Sequence, residues 1–261
     1  MWVFRVHWKP WGLGACQTEQ VRPLLTVTAA VARHPREMDE QLPARARPLT
    51  IDVFSDIVCP WCLVGNARLE RVLAGLEAAG ALAEGAAQVR HRPFLLDPAT
   101  PPEGKDIPAM LRRKYGVEPK ALWARLEAEA RKSGIELDLS RQPRSYPTIA
   151  AHTLVRHAGA RGTQRALVRD LFAANFLEAR NISDPAVLGE LASRHGFTPA
   201  EAAELLDSPS ERELTRAEAA EASAQGITGV PFFLINGHLA VSGAQPEEVL
   251  RTAVARGLAE I

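Results

Sequence analysis

The chain has 261 residues, with 31 basic and 31 acidic residues that cancel to zero net charge. Hydrophobic residues make up 46% of it, enough to bury a sizeable core in one large or two small domains. The balanced charge gives no chain-level footprint for nucleic acid or an anionic membrane, and three cysteines are too few for a disulfide-scaffolded secreted fold.

Residues 1–48 differ from the rest and are read as an N-terminal extension, poorly ordered. They begin aromatic-rich, with Trp2, Phe4, Trp8 and Trp11, and end basic, with Arg33, Arg36, Arg45 and Arg47. Residues 1–37 could also reflect a start codon assigned too early, with Met38 as the true start. The run Leu24–Ala32 is a faint version of a signal-peptide core but starts too far in, so a cytoplasmic chain is expected over an exported one. No run approaches the ~20 apolar residues that span a membrane.

Leu49–Ser55 is short, apolar and β-branched, and reads as a buried strand. A helix follows from Cys59 to Ala79. Its apolar positions are Leu69, Val72, Leu73 and Leu76, with Arg68, Glu70, Arg71 and Glu77 between them. At its start stands Cys59-Pro60-Trp61-Cys62. Thiols at i and i+3 share one face of a first helical turn and can close a small reversible disulfide. Proline suits that turn, where its missing N–H costs nothing. The helix N-terminus brings partial positive charge to the Cys59 sulfur and favours the thiolate, the form that attacks disulfides.

Gln88–Leu96 reads as a second strand ending near Pro93, and residues 97–104 as a loop. From Ile107 to Gln225 every periodic segment is helical: 107–115, 118–133, 146–160, 163–179, 185–195, 199–206 and 210–225. Thr198-Pro199-Ala200-Glu201 is a capping box with proline inside, and Ser183-Asp184-Pro185 another helix start. Pro231–Ile235 and His238–Ser242 read as strands joined by Asn236-Gly237, the strongest short hairpin signal. Pro246 opens a last helix, to about Ala259.

The order β-α-β, many helices, β-β-α, with a Cys-x-x-Cys opening the first helix, is the thioredoxin arrangement. Residues 49–261 resemble the DsbA-like thioredoxin superfamily and, within it, the FrnE-type branch. The resemblance is carried by Phe54–Cys62 with Gly65 and Arg68-Leu69-Glu70, Arg92–Pro98, Leu171–Phe176, Asn181–Asp184, Thr228–Phe233 and Ser242–Pro246. It implies an α/β thioredoxin fold, from 49–98 and 228–261, with a large all-helical insertion at 99–227.

It also implies roles. Cys59 would be the exposed nucleophile that forms a mixed disulfide, and Cys62 the thiol that resolves it. Val230-Pro231 would be a cis-proline loop facing the pair, with the Val230 backbone open to an extended substrate. Pro60 and Trp61 would complete the substrate surface, with Trp61 exposed. The expected activity is that of a protein disulfide oxidoreductase or isomerase, acting on protein or small-molecule thiols and disulfides. No metal or organic cofactor is needed, and glutathione enters only as reductant or co-substrate. Nucleic-acid and membrane partners are not expected.

Thioredoxin-like proteins often carry a buried carboxylate six residues before the first cysteine. Here that position is Val53. Asp52 should face the other side of the sheet, and Asp56 should lie at the strand end in solvent, which leaves water to take the Cys62 proton.

Other readings remain. A zinc site would need two ligands besides the cysteines, from His91, His152, His157, His195, His238 or Cys16. His152 and His157 are five apart, a poor helix-face match, and read as interhelical or exposed; His238 reads as a solvated hairpin residue. Arg144 and Tyr146 could line an active-site groove. A structural disulfide rarely spans three residues. Glutathione-dependent isomerases and kappa-type glutathione transferases share the helical insertion, but serine usually stands there in place of Cys59. A chaperone-like binding module would hold unfolded chains in a helical groove without using the cysteines.

Overall fold

The structure is a computed structural model, and it describes residues 48–116 and 118–261. Residues 1–47 of the extension, Cys16 among them, lie outside the described residues. Strand β1 (Leu49–Ser55), helix α1 (Pro60–Ala78) and strand β2 (Ala87–Pro93) form a β-α-β unit, with β1 and β2 parallel. Seven helices follow: α2 (Ile107–Tyr115), α3 (Pro119–Lys132), α4 (Ile149–Ala160), α5 (Gln164–Phe176), α6 (Pro185–Ser193), α7 (Pro199–Asp207) and α8 (Pro209–Ala224). Strands β5 (Phe232–Ile235) and β6 (Leu239–Ser242) and helix α9 (Glu247–Ala259) close the chain. Between α1 and α4 a two-residue pair, β3 (Lys105–Asp106) with β4 (Arg144–Ser145), was not expected; two residues are too few to show a period.

The main sheet has the order β2-β1-β5-β6, with β5 antiparallel to both β1 and β6. Alternation along β1 sends Ile51 and Val53 to one face, where they meet Leu69, Val72 and Leu73 of α1 and Leu250 and Val254 of α9. On the other face Phe54 packs with Phe94, Ala222 and Ile227, and its ring meets Phe232 edge-on at 6.1 Å between centroids. A further cluster joins α4 to α7 and takes in Cys59, Cys62 and Leu63 at the start of α1. The cysteine pair therefore sits where the sheet unit meets the helical segment.

Local chemistry explains the element ends. The Thr198 hydroxyl accepts from Glu201 N–H while the Glu201 carboxylate accepts from Thr198 N–H, the capping box read in the sequence. Asn236 and Gly237 both have positive φ, 48° and 74°, which a primed hairpin turn requires. Asn236 also ties the hairpin down: its side chain accepts from Thr50 N–H and donates to the Gly257 carbonyl.

Arg68 departs from its reading as part of the polar face of α1. It is buried, and its guanidinium donates to Ser133 Oγ at 2.8 Å, the Ala244 carbonyl at 2.7 Å and Glu129 Oε2 at 2.9 Å. Helical periodicity marks neighbours on one helix, and these acceptors come from α3, the residue following it and the loop after β6.

Candidate active site

Strand β1 ends at Ser55, and the chain turns through Asp56–Val58 into α1. Cys59 is the N-cap residue and Pro60 the first helical residue. The turn is held by its own backbone: Cys59 N–H donates to the Asp56 carbonyl at 3.0 Å, and Cys62 N–H to the Cys59 carbonyl at 2.9 Å. Both cysteines are free thiols.

Facing them is the approach to β5. The Val230–Pro231 peptide is cis, and the Cys59 Sγ lies 3.8 Å from the Val230 carbonyl oxygen. Pro231 packs on α1 one turn past the cysteines: a Cβ on Gly65 would come within 2.7 Å of the Pro231 ring. Glycine at 65 lets the helix approach that closely. Sequence reading thus named residues that the fold brings together: Cys59, Cys62, Val230 and Pro231.

Two expectations are corrected. Cys59 is buried, at 5% exposure, because Val230 and the helical segment cover it. Trp61 is half-buried and packs against the same cluster rather than standing free in solvent.

Burial pushes the Cys62 thiol well above the ordinary cysteine range. A hydrogen bond with Cys59 and the Cys59 charge push the same way, opposed by a backbone hydrogen bond from Asp56, whose own charge raises it again. Cys62 is therefore a protonated thiol at neutral pH.

A family model for the DSBA-like thioredoxin domain matches residues 50–255. The chain belongs to this family. It is a family of disulfide oxidoreductases, and its substrates are thiols and disulfides. A probable DsbA oxidoreductase from Streptomyces coelicolor, SCO1869, is 34% identical, superposes with a TM-score of 0.71, and is matched over 82% of this chain and 91% of its own. A putative protein disulfide isomerase from Nitrosomonas europaea shares the fold at 17% identity and a TM-score of 0.62, over 82% of this chain and 98% of its own. The uncharacterized protein YwbO of Bacillus subtilis is 26% identical over 207 residues, 78% of this chain and 94% of that protein.

The DsbA-like site carries buried polar residues, and sequence reading misplaced Asp56 among them. Asp56 is not in solvent: it is 1% exposed. Its Oδ2 accepts from Leu96 N–H at 2.8 Å, and its Oδ1 stands 3.5 Å from His152 Nε2. His152, on α4, is also buried. Its position among Ile149, Ala151, Val155 and Ala158 on the inward face of α4 was the available signal. His91, on β2, is buried as well. Burial first, then the charges of Arg165 and His152, lower its pKa to about 3.

The remaining candidates lie apart in their own pairings. His157 bonds Glu211 across α4 and α8, His195 bonds Asp170, and His238 pairs with Glu260 at the surface. Arg144 donates to the Glu103 carbonyl beside the β3–β4 pair, and the Tyr146 ring lies against Gly104. Among the described residues no three His, Cys, Asp or Glu are arranged to hold a metal ion, and no helix is long and apolar enough to cross a membrane.

Proposed function

We propose that the chain is a thiol–disulfide oxidoreductase of the FrnE type that cycles Cys59 and Cys62 between dithiol and disulfide. The observation that carries this reading is the placement of Cys59 at the N-cap of α1, beside the buried Cys62 thiol, with its sulfur against the Val230 carbonyl.

The Cys59 thiolate attacks a substrate disulfide; one substrate sulfur leaves with the electron pair and the other stays on Cys59. The Cys62 thiolate then attacks Cys59, closes the internal disulfide and releases the second substrate sulfur. In the reverse direction the same pair donates its disulfide. Isomerase activity needs only that the first adduct be returned to a different substrate thiol.

Pro60, Trp61, Val230 and Pro231 form the substrate surface in this reading. The Pro231 carbonyl is already taken by Gly243 N–H at 2.8 Å, so strand-like pairing with an extended substrate falls to Val230. Residues 49–98 and 228–261 act as the thioredoxin unit, and 99–227 as the helical insertion that sets access. A chain with three cysteines suits the cytoplasm, where the pair removes disulfides and glutathione resupplies electrons.

The test is adduct trapping with glutathione disulfide. Cys62→Ser should accumulate glutathione on Cys59, seen by peptide mass mapping, while the unmodified chain passes to the internal disulfide. A Cys62→Ser protein that takes up no glutathione at Cys59 contradicts the reading.

A further inference from the structure

We propose that Asp56 is the proton acceptor for the Cys62 thiol, with His152 as the positioning residue that holds its carboxylate in the buried site. This rests on the reading of Cys59 and Cys62 as a redox pair. A resolving thiol must lose its proton before it attacks. Val53, where related folds carry an acidic residue, is apolar and buried among Leu69, Val72 and Phe233. The base has to come from elsewhere.

Asp56 meets the requirements of place and chemistry. Its carbonyl accepts the Cys59 N–H, so the residue is the base of the turn that carries both thiols. One carboxylate oxygen is anchored by Leu96 N–H. The other, Oδ1, is buried with no hydrogen-bond partner, as is the His152 Nε2 that faces it. Buried polar atoms are partnered as a rule, so two that face each other at 3.5 Å without a hydrogen bond, at the foot of the turn that carries both thiols, leave a place for a proton. The Asp56 charge also acts on the Cys62 thiol.

His152 comes from α4, whose Ala151, Leu154 and Val155 share one apolar cluster with Cys59 and Cys62. The charged groups that act here are Asp56 on the Cys62 thiol and His152 on His91 of β2; Arg165 of α5, paired with Glu70 of α1 at 2.7 Å, also acts on His91. The helical segment thus supplies part of the proton machinery as well as cover.

In the resolving step the Cys62 S–H proton passes to Asp56 Oδ1. The Cys62 sulfur attacks Cys59 Sγ, the Cys59–Cys62 bond forms, and the bond from Cys59 to the substrate sulfur breaks. The substrate sulfur leaves reduced, with the electron pair, and takes the proton from Asp56. Cys62 ends oxidised in the disulfide.

The test follows the reduced full chain, in a Cys16→Ser background, with an aryl disulfide that releases a coloured thiolate. The first equivalent reports attack by Cys59 and the second reports resolution by Cys62. Asp56→Asn should keep the first phase and slow the second about 100-fold near neutral pH, with the deficit shrinking as pH rises. Asp56→Glu should restore part of the rate. His152→Gln should keep the first phase and move the midpoint of the second phase's pH profile. A second phase with unchanged rate and pH profile in Asp56→Asn overturns the proposal. Should Asp56→Asn not fold, the His152→Gln profile decides, and an unmoved midpoint overturns it. Failure of the unmodified chain to release a second equivalent overturns the redox-pair reading itself, and is seen without any variant.

Discussion

Gly65 and Pro231 are in direct apposition: a Cβ at 65 would lie 2.7 Å from Pro231 Cγ and 3.3 Å from the Phe233 ring. The missing side chain sets how closely the cysteine-bearing helix meets the loop before β5. Gly65→Ala gains helix propensity, up to about 1 kcal/mol, but must displace a rigid proline ring, an overpacking cost of about 1–3 kcal/mol. We expect a lower Tm and a loss of disulfide exchange. Gly75→Ala, on the same helix, meets only the flexible Arg251 guanidinium at 3.4 Å and should keep both. Equal behaviour of the two variants would contradict the packing argument.

Burial of His91 predicts a pH dependence of stability. In the fold it stays neutral down to about 3, whereas the unfolded chain takes up a proton below 6.5. Between those values the unfolded state binds more protons, so stability falls as pH drops. At pH 5 the loss from this group is about 2 kcal/mol, and above 6.5 there is none. Denaturant melts at pH 7 and pH 5 should show it, and His91→Leu should flatten the difference.

Arg68 is a cross-link between α1, α3 and the loop after β6. Arg68→Leu leaves the Ala244 carbonyl without its donor and the Glu129 carboxylate without its buried partner. The expected loss is on the order of 3 kcal/mol, reduced because Glu129 is partly solvated and also bonds Lys132. Arg68→Lys should recover little, since an ammonium cannot reach three acceptors in a fork. Thermal melts of the two variants check this.

The two thiols should differ in reactivity. Cys62 is held protonated by burial and by Cys59. Alkylation of the reduced chain at neutral pH should therefore modify Cys62 at least about tenfold more slowly than Cys59, read by peptide mapping that separates both from Cys16. Equal rates would contradict the assignment of Cys62 as the thiol held protonated.

The parts of this site legible in the sequence are those written in consecutive residues. Cys59–Cys62 followed a strand and opened a helix, and Asn236-Gly237 fixed the hairpin that carries Phe232–Ile235. Asp56 was not legible. Its burial depends on Leu96, 40 residues on, and on His152 of α4, neither of which a strand-end aspartate announces. The same holds for Arg68, whose acceptors lie 61 to 176 residues away. The exposure of Cys59 and Trp61 was misjudged because the covering residues come from the helical segment and from Val230. Long-range partners decide the burial of polar groups, and single-chain periodicity does not contain them.

The most direct measurement is the equilibrium redox titration of Cys59 and Cys62 across a glutathione series, read by thiol trapping, with Cys59→Ser as control. The account predicts one reversible two-electron transition that assigns to this pair and vanishes in Cys59→Ser. A pair that stays dithiol, or stays disulfide, across the whole series would contradict it.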